Sequence, residues 1–410
     1  MMDRPALEVA DIFRHYGEAY RRKHGPSMSS QQFRVMRDIE VCRTAVLGGH
    51  MKVCENEDCD YQEISYNSCR NRHCPKCQSM AKASWLAARQ SEILPVDYYH
   101  LVFTLPDNLL GPIVLQNKDI FYNILFHAAA HTLLTTAADP HHLGAQIGFL
   151  AILHTWGQKL TYHPHLHCVV PGGGLSPDRE KWISCPPGFF LDVEVLSRCF
   201  QQVLLTSLEK VFKKGLLQFH GSLQHLTGQD DFDQFLDACR EIDWVVYAKP
   251  PFAGPETVLD YLARYTHRVA ISNRRLLSMK DDKVTFTWKD YKHGAVQKTL
   301  TLDSEEFIRR FLLHVLPNGF TRIRYYGLLA NRHRAENLRH CRKLFNHDPA
   351  TIKAEIEKID WPELLLSLTG QDPFLCPRCC RGRLIIVKTL QPMPEALVSH
   401  AREPPSGNSS

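Results

Sequence analysis

Apolar positions along the chain switch between helical and strand spacing, and this switching predicts a mixed fold. Residues 5–45 place apolar side chains three or four positions apart, which is typical of amphipathic helices. Short apolar runs that end at proline or glycine predict strands, and strands alternating with helices indicate an α+β core. The predicted helices are 5–45, 79–93, 112–138, 190–213, 304–316 and one from about residue 254 through Tyr265. The predicted strands are 100–105, 147–153, 165–170, 244–248, 269–272 and 284–288.

The composition is that of a globular chain with room for more than one domain. Its 410 residues allow two or three domains of roughly 100–200 residues each, and a hydrophobic fraction of 44% can bury a sizeable core. The net charge of +5 says little about partners. However, nine Lys and Arg residues face a single acid, Glu336, between Arg309 and Lys343. Such a cluster suits a phosphate backbone, although a solvated basic face is the plainer alternative.

The cysteines indicate a reducing compartment. Nine of the fourteen cysteines bunch at 42–77 and 376–380, with lone residues between, instead of spreading like a disulfide framework. The first residues are charged and are followed by no apolar signal core, and no uncharged apolar run reaches the ~18 residues of a membrane helix. We therefore expect a cytoplasmic protein that does not enter a membrane, in which clustered cysteines bind metal.

Residues 50–78 lose the apolar periodicity, and we expect an irregular, metal-stapled module there. Two cysteine pairs can supply the four sulfur ligands of a structural Zn²⁺, because zinc prefers a tetrahedron of soft ligands. These predicted ligands are Cys54, Cys59, Cys74 and Cys77. Whether a second zinc is held nearby stays open, and its candidate ligands are Cys42, His50, Cys69 and His73.

Two further features surround the cysteines. Arg70, Arg72 and Lys76 lie between the predicted ligands, and a metal-stiffened loop that presents cations is a common way to contact DNA. A folding staple without DNA contact is the alternative. A further cysteine pair, Cys376-x2-Cys379 beside Cys380, has the spacing of half a zinc knuckle, and the sequence shows no obvious ligands to complete it. Its candidates are His340, Cys341 and His400.

A His-x-His strand and a Tyr-x3-Tyr helix carry the candidate chemistry. Residues two apart on a strand share a face, so His165 and His167 point at one place, as ligands of a catalytic divalent ion would. Tyr261 and Tyr265 share a face of the predicted helix, and tyrosine can act as a covalent nucleophile. Each pair taken alone is more often surface histidines or core aromatics. The interleaved Arg264, His267 and Arg268 favour a phosphate-bearing substrate.

Five stretches together resemble the two-tyrosine HUH transposases of rolling-circle insertion sequences, of the IS91 type. They occur in the family's order and cover most of residues 40–330. These stretches are 66–78, 100–106, 163–173, 261–272 and 322–329.

The resemblance implies an α+β fold, in which an HUH endonuclease domain has a central antiparallel, ferredoxin-like sheet flanked by helices. A small N-terminal zinc-binding domain precedes it. The implied divisions are a helical and zinc-binding domain (1–94), a catalytic domain (95–330), a basic C-terminal extension with a cysteine cluster (331–390) and a disordered tail (391–410).

By the same resemblance, His165 and His167 hold Mg²⁺ or Mn²⁺, with His163 or Gln158 as candidate third ligands and His154 also near the strand. Tyr261 and Tyr265 are implied to nick and transfer single-stranded DNA through 5′-phosphotyrosine intermediates. The implied partners are insertion-sequence ends and target DNA at the bacterial nucleoid, and an oligomer is left open. The implied DNA contacts are Arg70, Arg72, Lys76, Arg264, Arg268, Arg322 and Arg324.

Other readings remain at this point. A relaxase or replication initiator shares the HUH chemistry, and a catalytically inactive zinc-dependent DNA-binding protein would bind without a covalent adduct. A tyrosine recombinase would use one tyrosine and no metal. A zinc hydrolase is disfavoured because the chain has no His-Glu-x-x-His helix.

Overall fold

A computed structural model describes residues 6–77, 85, 92–187, 190–249, 269–346, 366, 372 and 374–394. Within these ranges the helices are α1 (Val9–His24), α2 (Ser30–Glu40), α3 (Asp107–Gln116), α4 (Lys118–Ala138), α5 (Val193–Lys213), α6 (Gln229–Arg240), α7 (Ser304–Leu313) and α8 (Arg334–Leu344). The strands are β1 (Gly49–Cys54), β2 (Gln62–Tyr66), β3 (Tyr98–Thr104), β4 (Gly148–Trp156), β5 (Tyr162–Pro171), β6 (Gly173–Leu175), β7 (Trp182–Ser184), β8 (Val246–Lys249), β9 (Leu276–Lys280), β10 (Lys283–Asp290), β11 (Val296–Asp303), β12 (Ile323–Gly327) and β13 (Leu384–Leu390).

A five-stranded antiparallel sheet forms the centre of the molecule, with strand order β12-β4-β5-β3-β8. Because side chains alternate across a strand, Leu166 and Cys168 of β5 enter the large core that the sheet shares with α3, α4, α5 and α6. The intervening residues of β5 face the opposite side, where Val169 packs with Ile152. This architecture confirms the predicted mixed fold, in which helices flank a central antiparallel sheet.

The N-terminal helices dock onto α7 through a second core. Phe13 of α1 meets Phe311 of α7 edge to face, with ring centroids 5.2 Å apart, and Met36 of α2 is fully buried in the same cluster. Helix α2 begins with a capping box, in which Ser29 accepts from the backbone of Gln32 and the Gln32 side chain returns to Ser29. The amphipathic spacing in residues 5–45 thus forms two helices with a shared apolar contact.

Residues 50–78 are more regular than the sequence predicts. They contain β1 and β2, which pair as an antiparallel hairpin, and β13 joins the other edge of β1 to give the order β13-β1-β2. Polar residues occupy much of both strands, so the alternation that marks a half-buried strand is weak here. The pairing places residues 384–390 of the predicted C-terminal extension in the N-terminal module.

Residues 269–272 do not form the predicted strand. They are a loop in which Ala270 and Ile271 are buried against the N-terminal helices, followed by a short 3-10 turn at Asn273–Arg275. The Asn273 side chain accepts a hydrogen bond of 3.1 Å from the backbone of Val9, which fixes the loop to the start of α1. The apolar run therefore reflects burial and not strand pairing.

Some predictions fall outside the described residues. These are most of the helix at 79–93, the helix from residue 254 through Tyr265, and all but the first four residues of the tail at 391–410. Among the described helices, none combines the length and the apolar character that crossing a bilayer requires.

Candidate functional site

Three histidines converge where β4 and β5 pair. His165 and His167 come from β5, and His154 of β4 lies directly opposite His165 in the register. One ring nitrogen from each histidine lies within 4.8 Å of the others. The two-residue period explains the arrangement, because Leu166 turns into the core while both neighbouring imidazoles face the other side of the sheet.

Hydrogen bonds hold two of the rings in a defined orientation. Nδ1 of His165 lies 2.7 Å from the carbonyl oxygen of His163 and donates to it, which leaves Nε2 without a proton in the neutral ring. Nδ1 of His167 lies 2.8 Å from Nε2 of His100, a residue of β3. The Nε2 atoms of His165 and His167 are then only 3.1 Å apart. Adjacent ligands of an octahedral ion with bonds of about 2.1 Å are about 3.0 Å apart, so the two atoms fit a divalent cation.

Burial keeps His167 and its neighbour His100 neutral. Loss of solvent lowers the pKa of His167 well below its usual range, and the nearby His154 and His165 rings add to the effect. Burial, followed by the Lys249 charge, lowers the pKa of His100 to about 3. A histidine that binds metal must be deprotonated, so the environment of His167 favours coordination.

Of the three third-ligand candidates from the sequence, His163 and Gln158 do not join this group. His163 hydrogen-bonds through Nδ1 to the carboxylate of Asp107, at the start of α3. Gln158 lies in the turn between β4 and β5, where its backbone oxygen accepts from Arg275 at 2.5 Å and its side chain faces the backbone of Lys289. The structure instead brings His154 to the pair.

The predicted tyrosine nucleophiles, Tyr261 and Tyr265, lie outside the described residues, and so do Arg264 and Arg268. The strand that leads to them is described. β8 pairs with β3, and Lys249 at its end lies opposite His100 in the register. Since neighbouring strands are about 4.8 Å apart, Lys249 lies roughly 10 Å from Val169 of β5, which is opposite His100 and two residues along the strand from His167.

The cysteines form two clusters, and this grouping differs from the predicted one. Cys54 and Cys59 are not with Cys74 and Cys77, because the hairpin of β1 and β2 carries the first pair away from the second. The first cluster contains Cys42, Cys69, Cys74 and Cys77. The second contains Cys54, Cys59, Cys376 and Cys379. Each set of four sulfurs lies within 4.8 Å, and every cysteine carries a free thiol.

The first cluster is built where α2 ends. Cys42 follows the last turn of α2, and its sulfur is 3.6 Å from that of Cys77, which is also 3.6 Å from that of Cys69. Sulfurs at the corners of a tetrahedron with zinc–sulfur bonds of about 2.3 Å are about 3.8 Å apart. Cys74 and Cys77 lie on one tight turn, in which the backbone N–H of Cys77 donates to the oxygen of Cys74.

The other predicted metal ligands have different roles. Nε2 of His73 accepts from the backbone of Leu316, and burial lowers its pKa to about 3. His50 lies on β1 and belongs to neither cysteine cluster. Of the candidates for the Cys376-x2-Cys379 pair, His340 contacts the backbone of Arg179, and His400 lies outside the described residues. Cys341 is buried in an apolar cluster and Cys380 is exposed.

Most of the described basic candidates already have partners within the chain. The ammonium of Lys76 is buried, 2.8 Å from Glu8 and 3.0 Å from the carbonyl oxygen of Cys42. Arg72 donates to the backbone of Phe320. Both therefore fix the cysteine-rich loop to its surroundings.

Three further arginines complete this set. Arg324 stacks over the rings of Phe126 and Phe320, at 4.1 and 5.0 Å. Burial lowers the pKa of Arg322 to about 10. Among the described members of the predicted DNA-contact set, Arg70 and Arg72 are exposed.

The sequence reasoning missed His100 as a neighbour of the site and named His154 only as one of three candidate third ligands. His100 begins the predicted strand 100–105, and His154 immediately follows the predicted strand 147–153. The available signal was a histidine at the end of each neighbouring strand. Only the strand register, however, brings both to the His-x-His pair.

Comparisons with known proteins identify the class of protein. Residues 148–337 match the family described as "Putative transposase", and residues 12–105 match the family described as "Transposase zinc-binding domain", of the IS91 type. The chain is 55% identical over 388 residues to "Putative transposase y4qJ" of Sinorhizobium fredii, covering 94% of this chain and 96% of that protein. It is 28% identical over 353 residues to "Transposase for insertion sequence element IS801" of Pseudomonas savastanoi pv. phaseolicola, covering 84% and 82%. No solved structure matches it.

The chain belongs to the IS91-type family of transposases. It carries a transposase zinc-binding domain, and its cysteine clusters are consistent with structural Zn²⁺. A DNA-processing enzyme of an insertion sequence is therefore the class that fold and relatives define.

Proposed function

We propose that the protein nicks single-stranded DNA at insertion-sequence ends and transfers the strand, by metal-assisted attack of Tyr261 and Tyr265. The observation that carries the proposal is the group of three histidines on β4 and β5. Three imidazoles aimed at one point on a rigid sheet form a site for a divalent ion.

His154, His165 and His167 would hold Mg²⁺ or Mn²⁺. The bound ion would polarise the scissile phosphate and stabilise the charge that develops on its oxygens. Nδ1 of His167 lies 2.8 Å from Nε2 of His100, and the Nε2 atoms of His165 and His167 lie 3.1 Å apart. This spacing of the two Nε2 atoms is that of adjacent ligands of one cation, which supports the assignment.

The tyrosines act as alternating nucleophiles in this scheme. Attack by a tyrosine Oη forms a bond to phosphorus and breaks the bond from phosphorus to the 3′-oxygen, which takes up a proton and leaves as a hydroxyl. A 3′-hydroxyl then attacks the 5′-phosphotyrosine and restores both a phosphodiester and the tyrosine. Each step exchanges one phosphoester for another, so no ATP is required. β8 ends at Lys249, two strands from β5 and two residues from the level of His167, and this position supports delivery of the following segment to the metal.

The zinc module and the exposed cations would hold the DNA. Arg70 projects from the first cysteine cluster, and Arg264 and Arg268 interleave with the proposed nucleophiles. We propose residues 1–94, extended by 374–390, as a DNA-positioning module and residues 95–330 as the catalytic domain, acting at the nucleoid of a bacterial cell. Target DNA and an oligomeric assembly complete the proposal.

The third ligand provides the test. We expect His154→Ala to lower the rate of nicking of a single-stranded element end by more than about 100-fold at limiting Mn²⁺, because an inner ligand is lost. His163→Ala is the matched control on the same sheet. It loses the contact with Asp107 and the ring contact with His165 but no proposed metal ligand, and we expect less than about a 10-fold effect. Equal losses in the two variants would refute the assignment of His154.

A further inference from the structure

The second cysteine cluster joins segments from opposite ends of the chain. Cys54 ends β1 and Cys59 follows it, whereas Cys376 and Cys379 come just before β13. The sulfurs of Cys54 and Cys379 are 3.6 Å apart, across 325 positions in the sequence. Those of Cys59 and Cys376 are 3.8 Å apart, across 317 positions. Both distances match the edge of a tetrahedron of sulfurs around zinc, about 3.8 Å.

The surroundings of these sulfurs are those of a metal knuckle. The backbone N–H of Gly382 points at the sulfur of Cys379 from 3.4 Å, as a donor to a thiolate. A Cβ at Gly382 would lie 2.6 Å from the sulfur of Cys54, so the turn approaches the cluster more closely than any side chain allows. Cys376 donates its backbone N–H to the oxygen of Gly382 at 2.8 Å, which closes the turn.

Backbone contacts fix the two segments against each other around the cluster. Glu55 donates its N–H to the oxygen of Arg383 at 2.9 Å, and Arg383 donates its own N–H to the Glu55 side chain at 3.0 Å. Cys54 lies opposite Leu384 in the β1–β13 register. Arg378 forms an ion pair with Asp60. Four sulfurs that are already gathered by fixed backbone require little rearrangement to bind an ion.

We propose that Cys54, Cys59, Cys376 and Cys379 bind a second structural Zn²⁺ that closes the chain on itself. This ion is separate from the one expected at Cys42, Cys69, Cys74 and Cys77. It makes the zinc module discontinuous, with ligands from the matched zinc-binding region and from a segment far beyond it. The inference does not depend on the nuclease mechanism.

Zinc content of the full-length protein tests the shared site. We expect Cys54→Ser and Cys376→Ser each to lose one equivalent of Zn²⁺ relative to wild type. The double variant should also lose only one, because both residues serve the same ion. Cys54→Ser combined with Cys74→Ser should lose two, since these residues serve different ions. Cys380→Ser, an exposed neighbour outside the cluster, should lose none.

Two results would overturn the proposal. One is unchanged zinc content in Cys376→Ser, and the other is a loss of two equivalents in the double variant of Cys54 and Cys376. If substitution prevents folding and all zinc is lost, the wild-type protein decides the question. Its zinc X-ray absorption should show two ions per chain with only sulfur neighbours at about 2.3 Å. A single sulfur-bound ion per chain would contradict the inference.

Discussion

His100 of β3 contacts the group formed by His154, His165 and His167. It is buried, and its Nε2 lies 2.8 Å from Nδ1 of His167. A partner at Nδ1 fixes both the tautomer and the ring angle of a histidine that binds metal through Nε2. We therefore interpret His100 as a positioning residue, which affects the ion through His167 without touching it.

Replacing His100 should change the affinity for metal more than the chemical step. We expect His100→Phe to raise the Mn²⁺ concentration for half-maximal nicking by about 10–100-fold, with most of the rate recovered at saturating Mn²⁺. His100→Gln, which keeps a polar group near Nδ1 of His167, should recover part of the affinity. A Mn²⁺ titration of nicking measures both quantities. A fall in the saturated rate with an unchanged half-maximal concentration would contradict a positioning role.

At the scale of elements, the β4–β12 pair supports the strand that carries His154. Gly148 of β4 lies opposite Gly327 of β12 in the register. Gly327 has a φ of +57°, and a Cβ there would lie 2.0 Å from the carbonyl oxygen of Ile147. Both the backbone conformation and the close approach require glycine at this position.

Substitution at this glycine should destabilise the sheet. We expect Gly327→Ala to lower the free energy of unfolding by about 3 kcal/mol or more, because a left-handed alanine costs about 1–2 kcal/mol and the backbone clash adds to it. Gly319→Ala is the matched control. Gly319 has a φ of +69°, but its Cβ would meet no atom within 4 Å, so about 1 kcal/mol is expected. Urea denaturation of both variants measures the difference, and equal losses would argue against the clash.

The elements also show how far the sequence could predict the site. His165 and His167 share one face of β5 because side chains alternate along a strand, and this is a local property of the sequence. The approach of His154 and His100 depends on which strands pair and in which register, and single-strand patterns do not specify this. The sequence does not predict the grouping of Cys54 with Cys376 for the same reason. The spacing of cysteines along a chain allows several sets of four ligands, and only the fold determines which cysteines meet. The sequence predicts a DNA contact at Lys76 because its ion-pair partner in the structure, Glu8, is distant in sequence and cannot be foreseen.

At the scale of the whole molecule, a buried histidine links the central sheet to α7. Nε2 of His314 donates to the oxygen of Leu160 at 3.2 Å, and Nδ1 accepts from the hydroxyl of Thr155 at 3.3 Å. Burial, together with the nearby Lys118 charge, lowers the pKa of His314 to about 3. The bond that Nδ1 accepts from Thr155 requires the neutral ring, and burial also opposes protonation, whereas the bond that Nε2 donates to Leu160 exists in either form.

This histidine should make the fold sensitive to acid. Between pH 6.5 and about 3 the unfolded chain binds a proton at His314 that the folded chain does not. The free energy of unfolding therefore falls as the pH decreases through this window, by up to about 1.4 kcal/mol per pH unit for one proton, and this contribution is constant above it. Comparing urea unfolding at pH 6 and pH 5, we expect a smaller decrease in His314→Gln than in wild type. The same decrease in both would contradict this origin.

The central claim is that a tyrosine of this chain attacks DNA beside a histidine-bound metal ion. The most direct measurement is to incubate the full-length protein with single-stranded insertion-sequence ends and Mg²⁺, and to identify the peptide that becomes covalently attached to DNA. We predict a 5′-phosphate ester on Tyr261 or Tyr265, which forms neither with EDTA nor in the Tyr261→Phe, Tyr265→Phe double variant. An adduct on another residue, or one that survives both changes, would contradict the mechanism.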